Sequence, residues 1–532
     1  MPGRNGGNGG GRRLRITALG HAGFLVETDA AIIVADPWLS PSGAFDAAWF
    51  QFPRNHHLAA LVQEKLADQR KARYLYISHE HKDHFDTPFL DSLECRDFTV
   101  LLPHFHRPAL AQALADYRCN ELVLLDDRQE FEIPGGTLKL YLDDAELNRD
   151  SAMLLKAGGK TFLNLNDCRI NDALPVIRRE EGHIDVFAMQ FSGANWHPVC
   201  YDYAPEQYER ISKKKVLAKF NAVAEAIKVV SPTFYLPSAG PPCFLDPMLV
   251  HINFEKTNIF PRSWELTRYL ERRLPDSTTA CPELMPGDVL DVSDGSLSEE
   301  GTERVDESGY RQYIEAYAAL YAGFFHARQE RYGTWQPLAL LGRLEEVLRV
   351  KLEALDLHDR VTIPLYVGFT DAPDVMLRVN FVDREVSVCR EMECENFYQI
   401  QAPLWEVARV LEGQLSWDDF AHTFRLRLNR DPDVYQTIIS AFIRLEPPDL
   451  KRFCEKVLNV ESRQERIMKE ANGSRYLVDR YCPHQGGDLQ YGWIEDDRYL
   501  VCPRHGWRFD LEKDGECLAN AGGVHAVCLQ DD

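Results

Sequence analysis

The sequence predicts a multidomain α/β protein that ends in a small all-β domain. With 532 residues, the chain is too long for one ordinary hydrophobic core. Short apolar strands begin at Leu14, helical periodicity covers residues 310–331 and 337–355, and short strands return from Ile467. These patterns divide the chain into a disordered N-terminus (1–13), an α/β domain (14–295), an α+β connecting domain (296–454) and the small β domain (455–532).

Charge and cysteine usage restrict the compartment and the partners. The net charge of -22 disfavours nucleic acid and anionic membrane surfaces, although a small anionic substrate held by local arginines stays compatible with it. The 13 cysteines follow no disulfide-framework spacing, which indicates a reducing compartment. The N-terminus has no apolar run typical of a signal peptide, and no window is long enough to span a membrane. We therefore expect a soluble, cytoplasmic protein.

Two short motifs near the C-terminus each offer one thiolate and one imidazole. They are Cys482-Pro483-His484 and Cys502-Pro503-Arg504-His505. Two cysteines and two histidines are the ligands of a Rieske [2Fe–2S] cluster, in which the thiolates hold one iron and the imidazoles the other. A structural zinc site more often pairs Cys with Cys and His with His. We therefore expect Cys482, His484, Cys502 and His505 to bind a [2Fe–2S] cluster.

The residues around these motifs resemble the oxygenase and ferredoxin type of Rieske domain. Gly487 and Arg504 stand where respiratory-type Rieske proteins carry an additional cysteine each. Gly486 and Gly487 allow the backbone to approach the sulfides, so that amide groups can donate to them.

A second group of metal-binding side chains follows the apolar strand predicted at residues 72–77. His79, His81, Asp83 and His84 lie within six positions, and the alternate residues His79 and His81 can point to one metal while Asp83 and His84 turn towards a second. This HxHxDH motif, with the strands before it, resembles the metallo-β-lactamase fold superfamily. The resemblance implies an αββα sandwich for residues 14–295.

The same resemblance implies a bridging carboxylate and a third ligand for the first metal. Asp167, at the end of the strand predicted from Lys160, falls where the superfamily places its bridging aspartate. Glu146 falls where most members carry a histidine. The alternative is that Glu146 is an exposed acid and that Asp144 is the metal ligand in its place. A carboxylate favours iron or manganese over zinc. His197 or His251 could complete the second metal.

The wider pattern resembles the CMP-N-acetylneuraminate hydroxylase family, whose members join a Rieske domain to a metallo-β-lactamase-like domain. The resemblance is carried by Asp144, Asp150-Ser151, Asn166-Asp167-Cys168, Phe191-Ser192-Gly193-Ala194 and Pro237-Ser238-Ala239-Gly240. There are two departures: the Rieske domain is C-terminal here, and Glu146 replaces the expected histidine. Glutamate among the iron ligands also resembles a di-iron β-hydroxylase of antibiotic biosynthesis. The substrate thus need not be CMP-sialic acid.

The connecting region alternates helices with an antiparallel sheet. Strands are predicted at residues 361–369, 375–381 and 385–388, and helices at 404–411 and 432–445. The run from Leu411 to Asp418 is weakly similar to sterol-carrier-protein-like modules, which cup apolar ligands or serve as interaction surfaces. A structural or docking domain is the interpretation here, with a substrate lid as the alternative.

Together these patterns predict a Rieske-coupled non-haem di-iron monooxygenase. An external ferredoxin or reductase reduces the cluster, the two irons (alternatively zinc or manganese) react with O2, and a small molecule is hydroxylated or N-oxygenated. The alternatives are a metal-dependent hydrolase (lactonase or phosphodiesterase) with a redox-sensing Rieske domain, and a di-iron O2 or NO reductase. A homo-oligomer is expected, because other Rieske oxygenases pass electrons between subunits. His197, Asn195 and Arg169 are candidates for substrate or supporting contacts.

Overall fold

The structure of the protein is a computed structural model that describes residues 13–193, 195–332, 334–518 and 522–529. The predicted disorder of residues 1–13 therefore falls almost entirely outside the described residues. Within them, no helix is long and apolar enough to cross a membrane.

The first domain contains two β-sheets. Its strands are β1 (Leu14–Gly20), β2 (Gly23–Thr28), β3 (Ala31–Ala35), β4 (Ala72–Tyr76), β5 (Thr99–Pro103), β6 (Glu121–Leu125), β7 (Glu130–Ile133), β8 (Gly136–Asp143), β9 (Asp150–Ala157), β10 (Lys160–Asn164), β11 (Val186–Gln190), β12 (Phe234–Ser238), β13 (Val289–Asp291) and β14 (Ser296–Ser298). Its helices are α1 (Ala59–Ala67), α2 (Thr87–Ser92), α3 (Ala109–Ala113), α4 (Leu174–Glu181), α5 (Pro205–Val230) and α6 (Ser263–Arg273).

The two sheets stack face to face and are covered by helices on their outer faces. One sheet has the strand order β14-β13-β1-β2-β3-β4-β5-β6 and the other β12-β11-β10-β9-β8-β7. Between them, Phe24 and Val26 pack with Leu140 and Phe162. Separate apolar clusters join α1, α2 and α3 to the first sheet, and α4, α5 and α6 to the second. This four-layer αββα order confirms the predicted fold class, because each sheet buries both of its faces.

Among the described residues, the middle region has one mixed sheet and six α-helices. Its helices are α7 (Tyr310–Gln329), α8 (Pro337–Glu353), α9 (Leu404–Leu411), α10 (Trp417–His422), α11 (Thr437–Arg444) and α12 (Pro447–Ser462). Its strands are β15 (Leu365–Phe369), β16 (Met376–Asn380), β17 (Glu385–Cys389), β18 (Phe397–Ala402) and β19 (Arg427–Asp431), in the order β17-β16-β15-β18-β19.

The middle region shares its core with the first domain. Trp49 of the first domain packs against Phe424, with ring centroids 5.5 Å apart, in one continuous apolar cluster. Beside it the buried Arg425 donates to Asp46 at 3.2 Å and to Asp246 at 2.8 Å. Because the apolar core and the buried charge pairs both cross the boundary, the two domains are firmly joined.

The C-terminal domain consists of two small antiparallel sheets. Its strands are β20 (Arg466–Ala471), β21 (Ser474–Asp479), β22 (Trp493–Glu495), β23 (Tyr499–Val501), β24 (Arg508–Asp510), β25 (Glu516–Cys517) and β26 (Ala526–Leu529). One sheet is β20-β21-β26 and the other β22-β23-β24-β25. The predicted Asn472-Gly473 turn joins β20 to β21, with both residues at positive φ as a tight hairpin requires.

Candidate metal centre and iron–sulfur site

The HxHxDH loop follows β4, and hydrogen bonds to two aspartates fix its position. Asp36, at the end of β3, accepts from the backbone amide of Ser78 at 2.8 Å and from its hydroxyl at 2.7 Å. Asp86 accepts from the amides of Leu39 and Ser40 at 2.8 and 2.6 Å. Hydrogen bonds of the protein itself therefore fix the loop at both ends.

One ring nitrogen of His79 faces one ring nitrogen of His81, as expected for alternate residues after a strand. Nε2 of His79 and Nδ1 of His81 are 2.8 Å apart. The opposite nitrogen of each ring faces a carboxylate: His79 Nδ1 lies 3.2 Å from Asp150, and His81 Nε2 lies 3.2 Å from Asp418 on α10. Carboxylates in this position fix the ring orientation of metal-binding histidines.

A second cluster brings together His21, Asp83, His84 and Asp167. His21 Nε2 lies 3.1 Å from Asp83 Oδ2, and His84 Nε2 lies 4.0 Å from the same oxygen and 3.8 Å from Asp167 Oδ2. The outer nitrogens are again engaged, since His21 Nδ1 donates to the Gly240 carbonyl at 2.9 Å and His84 Nδ1 to Asp36 at 2.9 Å.

Two inner atoms of this second cluster lack hydrogen-bond partners. Among the described residues, Asp83 Oδ1 and His84 Nε2 are buried without one, while His21 Nε2 faces Asp83 Oδ2. Burying such atoms unsatisfied is costly, and a bound cation removes that cost. Four imidazoles oriented by their outer nitrogens and two convergent carboxylates therefore fit a two-metal site with nitrogen and oxygen ligands.

Attraction between these groups shifts their ionisation strongly. Burial alone would raise the pKa of Asp83, but the imidazoles of His84 and His21 outweigh it and hold that pKa well below its ordinary value. Burial would lower the pKa of His84, yet Asp83 and Asp36 raise it to about 10. A metal ion entering such a site displaces protons from its imidazoles.

The predicted ligands Glu146 and His197 are in none of the metal-type clusters found among the described residues. Glu146 is buried and its carboxylate lies 2.5 Å from His106 Nε2 and 3.4 Å from Lys456 Nζ. His197 forms a hydrogen bond of 3.0 Å with Tyr203 instead. These contacts hold both side chains outside the metal-type clusters, and their roles as metal ligands stay predictions.

The other candidates occupy supporting places. Asp144 pairs with His106 at 2.6 Å, and His251 lies exposed in a short helical turn. Asn195 accepts from the amide of His197. Arg169 lies two residues beyond Asp167. Burial lowers the pKa of both His484 and His505, and the charge of Arg169 adds to this effect.

Two residues at the centre, His21 and Asp418, were missed by sequence reasoning. A signal for His21 was available: Gly20-His21-Ala22-Gly23 is a tight turn between the first two strands, and His21 has a positive φ there. No local signal marked Asp418, because it belongs to the connecting region and is 337 positions from His81.

The two cysteine–histidine loops of the C-terminal domain adopt the same turn. The amides of Gly486 and Gly506 donate to the carbonyls of Cys482 and Cys502, each at 2.9 Å, and both glycines have positive φ. The turns bring ligand atoms of Cys482, Cys502 and His505 within 4.8 Å of one another, and the centroid of the His484 ring lies 4.3 Å from that of His505.

The donor atoms of these loops fit a [2Fe–2S] cluster. Both cysteines are fully buried, and His484 Nδ1 is buried without a partner among the described residues. A Cβ on Gly487 would come 3.1 Å from the Cys502 sulfur, so a larger residue here would crowd this ligand atom.

Comparison with known proteins identifies the C-terminal domain and the family. The profile of the Rieske [2Fe-2S] domain matches residues 446–525. A protein of Mycolicibacterium smegmatis named as a Rieske 2Fe-2S iron-sulfur protein is 30% identical over 96% of this chain and 98% of its own length. The chain belongs to this Rieske protein family. A Mycobacterium tuberculosis member is 29% identical over the same shares of the two chains. The Rieske domain of the present chain implies a [2Fe–2S] cluster.

More distant relatives of this Rieske protein include hydroxylases. The cytidine monophosphate-N-acetylneuraminic acid hydroxylase of Xenopus laevis is 24% identical over 84% of this chain and 75% of its own. Among solved structures, CmlA, a diiron beta-hydroxylase from Streptomyces venezuelae, covers 53% of the chain with 16% identity and a TM-score of 0.35. The metallo hydrolase Igni18 from Ignicoccus hospitalis covers 52% with a TM-score of 0.33. These scores are low, and the fold assignment rests on the two-sheet topology.

The Rieske domain docks on the first domain of its own chain. Arg504, between the two ligands of its loop, donates from Nε to both oxygens of Asp172 at 2.8 Å and from Nη1 to Asp143 at 3.0 Å. The amide of Asp488 adds a bond of 2.9 Å to Asp172. Tyr435, just before α11, lies edge-on to His484. The cluster-binding loops therefore face the rim that carries Asp167.

Proposed function

We propose that this Rieske protein is an oxygenase in which the [2Fe–2S] cluster supplies electrons to a di-iron centre within the same chain. The substrate is a small molecule that is hydroxylated or N-oxygenated. An external ferredoxin or reductase reduces the cluster, and a reducing cytoplasm is the proposed compartment, in keeping with 13 cysteines that form no disulfide.

The contact between Arg504 and the first domain is the observation that carries the proposal. Asp172 lies five positions after Asp167, and Asp143 ends the strand that precedes Glu146. An electron carrier docked beside a set of metal ligands has an acceptor within its own chain. A hydrolase with a remote redox sensor would not need this contact.

Each residue at the centre has a defined part in the proposal. His79 and His81 would hold one iron, while His21, Asp83 and His84 would hold the other, with Asp167 between them. Two irons, when bound, would supply the reaction with O2, which protein side chains cannot perform themselves. Asp36, Asp150 and Asp418 keep the imidazoles oriented through their outer nitrogens.

Metal analysis of the full chain, produced in iron-replete cells, tests the proposal. About four irons per chain are expected, two from the cluster and two from the centre. About two irons with zinc in the centre would refute it in favour of a hydrolase. Cys482→Ser should abolish turnover with a natural reductant, and retained turnover would contradict the electron path.

His21→Ala and His197→Ala form a matched pair for the ligand assignment. His21→Ala should remove about one non-cluster iron and leave the absorbance of the cluster unchanged. His197→Ala should retain all irons, because its imidazole binds Tyr203. The opposite result would restore His197 as the ligand and remove His21.

A further inference from the structure

Three cationic side chains gather beside Asp167 on the face of the first domain that meets the Rieske loops. Lys215 and Lys219 lie one turn apart on α5, and Arg169 lies two residues after Asp167. Lys219 Nζ donates to Gln190 Oε1 at 3.0 Å, and Gln190 Nε2 in turn donates to the carbonyl of Asp167. Lys215 Nζ donates to the carbonyl of His197 at 2.7 Å.

The hydrogen-bond partners of the two lysines are all neutral. Among the described residues, no carboxylate lies within ion-pair distance of Arg169, Lys215 or Lys219, although the chain carries a net charge of -22. Two outward lysines of the same helix differ: Lys213 pairs with Glu209 at 2.5 Å and Lys228 with Glu225 at 2.7 Å. The inward Lys215 and Lys219 lack such a partner although they are more buried.

Placing like charges together in a partly buried position is unfavourable. Burial is the main cause that lowers the pKa of both Lys215 and Lys219 to about 7. Repulsion from Arg430 and Arg169 adds to it at Lys215, and repulsion from Arg169 adds to it at Lys219, while Asp433 and Asp167 only partly oppose these effects. Lysines one turn apart repel each other on a helix even in water. A bound anion would remove both costs, because it supplies the opposite charge and accepts the donated hydrogen bonds.

The surroundings place this group beside the reacting centre. The charges of Arg169 and Lys219 reach His505 of the Rieske loop, and that of Lys219 reaches Asp167. A Cβ on Gly193 would lie 2.8 Å from Lys219 Nζ, so the glycine keeps space around this ammonium. An anion held here would lie between the cluster-binding loops and the metal ligands.

We propose that Arg169, Lys215 and Lys219 form a subsite for an anionic group, a carboxylate or a phosphate, of the substrate. Its role as a substrate subsite rests on the proposed oxygenase function, whereas anion binding itself does not. The anionic group would anchor one end of the molecule and leave the rest to extend towards the centre, where an oriented C–H or N–H bond reacts.

Calorimetric titration of the iron-loaded full chain with inorganic phosphate, and separately with acetate, tests the subsite. Lys215→Met/Lys219→Met should weaken binding of the preferred anion at least tenfold. Lys213→Met/Lys214→Met, on the exposed face of the same helix, removes the same charge and should leave binding unchanged. Tighter binding of phosphate than of acetate, or the reverse, identifies the group.

Arg169→Gln provides a second measurement if the double variant does not fold, and a tenfold weakening is expected there too. Unchanged affinity in Arg169→Gln and in a folded double variant would overturn the subsite, as would equal weakening in the control pair. Iron content is measured on the same samples. Zinc in place of iron, with lysine-dependent anion binding intact, would refute the oxygenase and leave the subsite standing.

Discussion

Removal of the Arg504 side chain should separate the Rieske domain from the first domain. The guanidinium faces two carboxylates, those of Asp172 and Asp143, whose side chains are 5% and 6% exposed. Truncating one partner of a buried ion pair costs roughly 3–5 kcal/mol. The arginine is 20% exposed and Asp172 keeps the amide of Asp488, so we expect about 2–4 kcal/mol here. The docking equilibrium should then fall about thirtyfold to a thousandfold in Arg504→Ala.

Stopped-flow absorbance measures this effect as the rate at which a chemically reduced cluster is reoxidised by O2. In the wild type the rate should be first order and independent of protein concentration, because donor and acceptor belong to one chain. Arg504→Ala should slow it at least tenfold. Arg508→Ala is the matched control, since Arg508 pairs with Glu495 and Asp496 inside the Rieske domain. A wild-type rate in Arg504→Ala, or a rate that rises with protein concentration, would refute intrachain transfer.

Two further changes test the middle domain. Asp418→Asn should weaken metal binding roughly tenfold to a hundredfold, because the carboxylate orients His81. Competitive chelator titration measures this affinity, with Asp419→Asn as the control. Equal metal affinities of Asp418→Asn and the wild type would contradict the prediction. Burial lowers the pKa of Lys351 to about 7, from the ordinary lysine value of 10.5. Between these two pH values the unfolded chain binds more protons at Lys351 than the folded chain does. The free energy of unfolding should therefore rise as pH increases from 7 to 9. Lys351 contributes at most about 1.4 kcal/mol per pH unit to this slope. Urea unfolding should show a slope smaller by up to that amount in Lys351→Met than in the wild type, and an equal slope would count against it.

Residues that lie close in the chain were predicted well. His79 and His81 converge because alternate residues after a strand point to the same side. The HxHxDH motif also contains enough ligand-type residues to be recognised in the sequence. The helix bounds at Leu404–Leu411 agree fully with the prediction, whereas the helix predicted at 432–445 begins only at Thr437. There, β19 runs to Asp431, and residues 432–436 form the connection from this strand into α11.

The sequence by itself determined the fold class, the Rieske cluster and the motif that gathers metal ligands. Each of these depends on residue types at short spacings, which local backbone geometry converts into position. Only the tertiary structure placed His21 in the second cluster, Asp418 behind His81 and Arg504 against Asp172. These contacts join residues 62, 337 and 332 positions apart. The contact of His21 depends on how the strands of one domain pack, and the other two depend on how whole domains pack. Short-range spacing marks such residues at most as candidates and does not give their partners.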